Sequence, residues 1–420
     1  DVTAGGLAAL TAAVDVDVLD STIAAQDSVT VTAQGGSVDI TNSVLTSAND
    51  VIDINAQVNA DITDSTLTAD GDITVDAATG YVWVDTTDMT STSGAIGIQA
   101  ATDTDITDST LTAATDVTIG ATAGTVDIES STVTATAGQM DITAGDEIMV
   151  SRSDLDAGTT MTLTAANNVD ILTSYLDAVN DITVTATAGY VNIESTDVTS
   201  SAGAIDINAQ TNVDISDSDL QAEGDVTIDA TTGYVWIDLT TIVSNSGSIL
   251  VTAALDVDIV DTEMDAGADI DVSAGEDVSI VRSILEADDN ILIDADTGNI
   301  YIDNTVAYAY NGTLDVTADG DVDITAASDL FGDGDVTIDA ATGYVRIADV
   351  SLVTSGNGSL LISANGGAGY VEMSDSYLDS VGDMEITAGD YVKALNTVMS
   401  GTDSLTVDAA TGYVEFNEVT

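Results

Sequence analysis

The sequence predicts an all-β fold, a single parallel β-helix (β-solenoid) of about 19 coils, each about 22 residues long and roughly triangular with three short strands. Three observations predict it: a triplet that recurs in near-constant register, period-two alternation between the triplets, and a composition that lacks the usual core aromatics. The triplet is apolar–outward–apolar, most often Val-Asp-Ile. Its central residues are Asp17, Asp39, Asp61, Trp83, Asp105, Asp127, Met149, Asp170, Asn192, Asp214, Trp236, Asp258, Ser279, Tyr301, Asp323, Arg346, Glu372, Lys393 and Glu415. Steps between them are 22 residues with few exceptions, the largest being 26 between Arg346 and Glu372. A fixed period of this length is the signature of a repeat array.

Each coil follows one grammar, shown by the coil that starts at Ala60-Asp61-Ile62. A corner, Asp64-Ser65, leads into a second strand in which Leu67 and Ala69 point one way. The turn Asp70-Gly71-Asp72 precedes the third strand, Ile73-Thr74-Val75-Asp76-Ala77, and Ala78-Thr79-Gly80 closes the coil. Alternation places Ala60, Ile62, Leu67, Ala69, Ile73, Val75 and Ala77 inside. One coil cannot bury that inner face alone, so coils must stack. Stacking at ~4.8 Å gives a rod on the order of 90 Å, and the crossover rule favours right-handed winding. Four residues after each triplet centre stands a hydroxyl, from Ser21 through Thr305, with Ala327 the first break. Such a column suits a tight inner corner. Three late segments read as bulges or short outward loops: Tyr308–Gly312, Asp329–Gly332 and Asn365–Gly369. No linker or charge block interrupts the chain. Residues 1–420 therefore read as one domain, with 344–420 a chemically distinct set of coils within it.

Composition agrees. There is no Pro, Cys or His, and only 2 Phe and 2 Trp, so Val, Ile, Leu and Ala must build the core. Val, Ile and Thr favour strands while Gly, Asp and Asn favour turns. The formal net charge is −69, from 73 acidic and 4 basic residues. That leaves no basic surface to displace counterions from nucleic acid, nor to bind anionic lipid. Regular apolar periodicity argues against the disorder that such charge otherwise implies. No apolar run reaches the ~20 residues of a membrane span. The chain begins with Asp1 and not Met, which reads as a processed mature chain.

Units such as Asp64-Ser65-Thr66-Leu67-Thr68-Ala69-Asp70-Gly71-Asp72-Ile73-Thr74-Val75 resemble the shaft repeats of filamentous-haemagglutinin-type bacterial adhesins. The resemblance is one of repeat style and covers nearly the whole chain. It implies a secreted, surface-associated β-helical rod.

Three sets of residues are candidates for function. The first is a carboxylate ladder at the triplet centres, with a second carboxylate three residues on in five coils. The pairs are Asp17/Asp20, Asp61/Asp64, Asp105/Asp108, Asp214/Asp217 and Asp258/Asp261. Unit charges ~4.8 Å apart repel by roughly 0.9 kcal/mol in water and more at a protein surface. Oxygen-only pairs suit Ca²⁺ or another hard cation, against the alternative of a merely solvated acidic face. No cofactor is required by the reading. The second set is Tyr344, Tyr370, Tyr391 and Tyr413, each two residues before Arg346, Glu372, Lys393 or Glu415. This predicts an aromatic column beside a cross-coil ladder of alternating charge, which reads either as local stabilisation of a fraying end or as a lateral or terminal contact for a neighbouring subunit. Tyr81/Trp83 and Tyr234/Trp236 are isolated two-aromatic patches, read first as sporadic surface aromatics and alternatively as rings that stack on glycans. The remaining cations, Arg152 and Arg282, share the corner position of Asp64 and would neutralise nearby carboxylates.

The third set is the ends. Asp1, Val2, Thr3 and Ala4 would supply what Val414, Phe416, Val419 and Thr420 leave unfinished, and uncapped strand edges template pairing. A head-to-tail contact propagates as an open filament. The expected function is thus a structural subunit of an extracellular filament, a homopolymer of this chain. The alternative is a shaft segment of a larger surface adhesin. A polysaccharide-acting enzyme, with Arg282 or Arg152 beside Asp258 or Asp127, is the reading from a different class. With no His, Cys or phosphate-cradling loop, no catalytic residue is assigned. Two sequons, at Asn311 and Asn357, fall in predicted turns.

Overall fold

A computed structural model describes residues 1–349 and 351–420. The described residues contain no helix, and their strands are three to five residues long. The chain divides into two compact units, Asp1–Ala209 and Gln210–Thr420. Both are parallel β-solenoids built on one plan, and about 19 coils are wound along the chain.

In the first unit, one coil contributes Thr66–Ala69 to sheet I, Ile73–Ala77 to sheet II and Val82–Asp85 to sheet III. Every pairing is parallel and residue stands over residue: Leu67 meets Met89, Val75 meets Ile98, and Trp83 meets Asp105. Inward residues are sealed, with Leu67, Ile73, Val82 and Val84 all at 0% exposure. The second unit repeats this, as in Val226–Ala230 over Ile249–Ala253. Each coil covers its neighbour's apolar face, so burial worth ~1.5–3 kcal/mol per large aliphatic side chain exists only in the stack.

The corner between sheets III and I is the least permissive point of the coil. Its first residue adopts the left-handed conformation in coil after coil, with φ of 46° at Asp20, 48° at Asn42 and Asp64, and 47° at Asp108. Asp and Asn tolerate this region best among non-glycine residues. Arg152 and Arg282 hold the same corner at φ 51°. The following hydroxyl then turns inward. Ser109 Oγ accepts from the Thr87 backbone N–H at 3.0 Å and donates to the Thr107 carbonyl at 2.7 Å. Ser65, Ser131 and Ser153 repeat the pattern in the first unit.

Two expectations need correction. The hydroxyl column does not end at Ala327. One extra residue in that corner puts both Ala326 and Ala327 at positive φ, and Ser328 takes the column position, accepting from Thr305 N–H at 3.3 Å. Ser351, Ser376 and Thr397 continue it, all buried. Second, Tyr308 and Asp329–Gly332 are not bulges. Val306–Ala309 and Asp329–Gly332 are regular sheet I strands in register, with outward Tyr308 and Phe331 edge-to-face at 5.8 Å. Asn365–Gly369 is a longer turn, between Leu360–Ala364 and Val371–Ser374.

Candidate functional site

The outward face of sheet III carries most of the candidate residues. On it the triplet centres stack coil over coil, Asp17 on Asp39 and Asp39 on Asp61. The ladder is not continuous, because Trp83 separates Asp61 from Asp105 and Met149 separates Asp127 from Asp170. The half-buried carboxyls of Asp61, Asp105, Asp127, Asp214 and Asp258 are pushed above the ordinary range, chiefly by desolvation.

The second members of the five pairs lie elsewhere. Asp20, Asp64, Asp108, Asp217 and Asp261 are the left-handed corner residues, so backbone preference accounts for their acid. Asp20 accepts from Asn42 Nδ2 at 2.6 Å. Asp261 is engaged by the Arg282 fork at 2.6 and 2.7 Å, which holds its carboxyl below the usual range. Arg152 meets Glu129 through Nη2 alone, and its Nε donates to Ser130 Oγ at 3.4 Å. Among the described residues, no group of three or more His, Cys, Asp or Glu side chains is arranged to hold a metal ion.

In the second unit the character of sheet III changes. Tyr344, Tyr370, Tyr391 and Tyr413 form a stack with centroids 4.8, 4.8 and 5.1 Å apart and planes within 9°. Their neighbours Arg346, Glu372, Lys393 and Glu415 stand over one another. The charge pairing is stepwise. Arg346 joins Asp323 of the preceding coil at 3.7 Å, and Lys393 joins Glu372 at 3.5 Å. Tyrosine hydroxyls cap the same carboxylates, Tyr344 on Asp323 at 2.9 Å and Tyr391 on Glu372 at 3.1 Å. Burial, followed by these hydrogen bonds, raises both phenols above their ordinary value.

The first and last strands each pair with one neighbouring coil. Val2–Ala4 pairs on one side with Thr22–Ala25, leaving Val2 47% exposed and Asp1 and Thr3 open. Val414–Asn417 pairs with Val392–Leu395, leaving Val414 and Phe416 44% and 48% exposed. Thr420 returns to sheet I, where its carbonyl accepts from Met399 N–H at 3.1 Å, beside half-buried Val419.

Two groups escaped the sequence reading. Turn residues before sheets II and III accept backbone N–H groups from the next coil: Asp103 from Thr125 at 3.1 Å, Asp116 from Gln139 at 3.0 Å, and Asp15 from Ser37 at 2.9 Å. The signal was a glycine one coil later. A Cβ on Gly124 would fall 2.1 Å from Asp103 Oδ1, and one on Gly36 2.1 Å from Asp15 Oδ1. The other group is Glu147, in the first unit. It shares a hydrogen bond with Asp170, which also accepts from Tyr190 Oη at 3.1 Å and Asn192 Nδ2 at 3.0 Å. Desolvation, that bond and the charges of Asp170, Asp146 and Asp127 push Glu147 up to about 7. Only the vertical register reveals this cluster.

The geometry defines a parallel β-solenoid repeat protein. In comparisons with known proteins, no family model, no curated protein and no solved structure matches the chain.

Proposed function

We propose that this chain is a structural element of an extracellular filament that grows by continued coil stacking, one copy adding to the next. The observation that carries the reading is the sameness of the stacking surface. Val392–Leu395 covers Val414–Asn417 as Val82–Asp85 covers Thr104–Thr107, so an open coil edge offers the pattern that another coil edge extends. Val414 and Phe416 on one coil edge and Val2 on another are exposed apolar residues of the kind that template strand pairing. A heterologous contact of that kind propagates without closing.

The repeat style of Asp64–Val75 supports a second reading, a shaft segment of a larger surface adhesin of the filamentous-haemagglutinin type. Electron microscopy and sedimentation of the purified chain separate the two. Long uniform filaments, shortened by Phe416→Glu or Val2→Lys, are expected from the first. Uniform short particles at every concentration would overturn it and favour the shaft.

A further inference from the structure

The alternating column on sheet III of the second unit is self-complementary, and we propose that it pairs two copies of this chain side by side and antiparallel. Reading up the coils, the column is Arg346, Glu372, Lys393, Glu415, or plus, minus, plus, minus. Consider a two-fold axis lying in the contact plane, along the strands, midway between the rows of Glu372 and Lys393. It sets Arg346 opposite Glu415 of the second copy and Glu372 opposite Lys393. All four rows then face opposite charge. A parallel two-fold pair would set each residue against itself, like on like. The same antiparallel axis leaves position along the strand unchanged, so the tyrosine column meets the tyrosine column, Tyr344 by Tyr413 and Tyr370 by Tyr391.

Three features favour a second copy as the occupant. The side chains are accessible, Arg346 at 44%, Lys393 at 42% and Glu372 at 34%. Tyrosine and arginine are enriched where proteins meet. With 73 acidic and 4 basic residues, two copies repel at most approaches, and this column is where two of the four cations stand within three coils. An isologous contact of this kind closes at two. It is therefore distinct from the open-ended stacking proposed above, though both concern association of this chain with itself.

Ionic strength gives the first signature. At about 0.15 M salt the Debye length is about 8 Å, long enough to keep paired rows attractive and short enough to screen the acidic flanks. Association is expected to peak there and to weaken at about 0.01 M and at about 1 M salt. Charge exchange gives the second. Arg346→Glu with Lys393→Glu makes the column uniformly negative, and Glu372→Lys with Glu415→Lys makes it uniformly positive. Each double variant alone is expected to lose pairing at least about tenfold, the equivalent of roughly 1.4 kcal/mol. An equimolar mixture should recover it.

Sedimentation velocity on full chains carrying Val2→Lys, which blocks end addition, reads the lateral contact separately. In filaments, microscopy reads it as paired width against single width. Circular dichroism checks that the variants fold, and the wild-type salt profile stands if they do not. A uniformly negative variant that pairs like wild type, a folded mixture that stays single, or a wild type single at all three salts would overturn the pairing. Loss of filaments with pairing intact would overturn only end-to-end growth.

Discussion

At the level of single residues, the corner and the turn set the strictest terms. Thr86 and Thr173 hold the left-handed corner at φ 48° and 52°, where β-branched side chains are strained. Thr86→Asn is expected to raise stability by about 1 kcal/mol, read as a higher urea midpoint at unchanged slope. A lower midpoint would show that something other than backbone conformation governs the corner. Glycine at the turns acts through space: a Cβ on Gly124 also lies 2.7 Å from the Thr102 carbonyl. Gly124→Ala should cost about 1–3 kcal/mol, and adding Asp103→Ala should not restore it, because the backbone obstruction persists. Full rescue in that double-mutant cycle would locate the whole conflict in the carboxylate.

Within a coil, the hydroxyl column and the Glu147 cluster make different demands. Ser109 is 3% exposed and satisfies two backbone groups at once. Ser109→Ala strands the Thr87 N–H, while the Thr107 carbonyl keeps the Thr86 N–H at 3.0 Å, and is expected to cost about 1–3 kcal/mol, whereas Ser109→Thr should be near neutral, since Thr87 and Thr196 occupy the same column. Equal effects in thermal melts would remove hydrogen bonding as the cause. Glu147 titrates near 7 in the fold against 4.5 in a free chain. The folded state therefore holds the extra proton between those values, and stability falls as pH rises from about 4.5 to about 7. Glu147→Gln should flatten that part of the midpoint-versus-pH curve. Raised Asp61, Asp105, Asp127, Asp214 and Asp258 slope the same way just above the ordinary carboxylate range. An unchanged slope in Glu147→Gln would assign the dependence to them.

For the whole molecule, charge dominates. A net charge of −69 opposes compaction, so melting temperature should climb with NaCl between about 0.01 and about 0.2 M as repulsion is screened. CaCl₂ at matched ionic strength is the comparison that identifies specific cation sites, through a saturable further rise. The sheet III ladder, broken by Trp83, Met149 and Trp236, divides the acid into short runs. Such runs need less compensation than a continuous column.

The sequence alone determined the coil: its length, its three strands, which side chains face inward, and the stacking of the four tyrosines. All of these follow from periodicity, because in parallel stacking with residue over residue a position in the chain is a position in space. What only the tertiary structure decided lies at the corners and between coils. That Asp64 serves a left-handed turn, that Ser328 replaces Ala327 in the column, and that Arg346 turns to Asp323 depend on backbone angles and on neighbours 21 to 23 residues away. Alternation reports which face a side chain takes. It carries no record of φ at a bend, nor of which neighbouring coil's carboxylate a guanidinium meets.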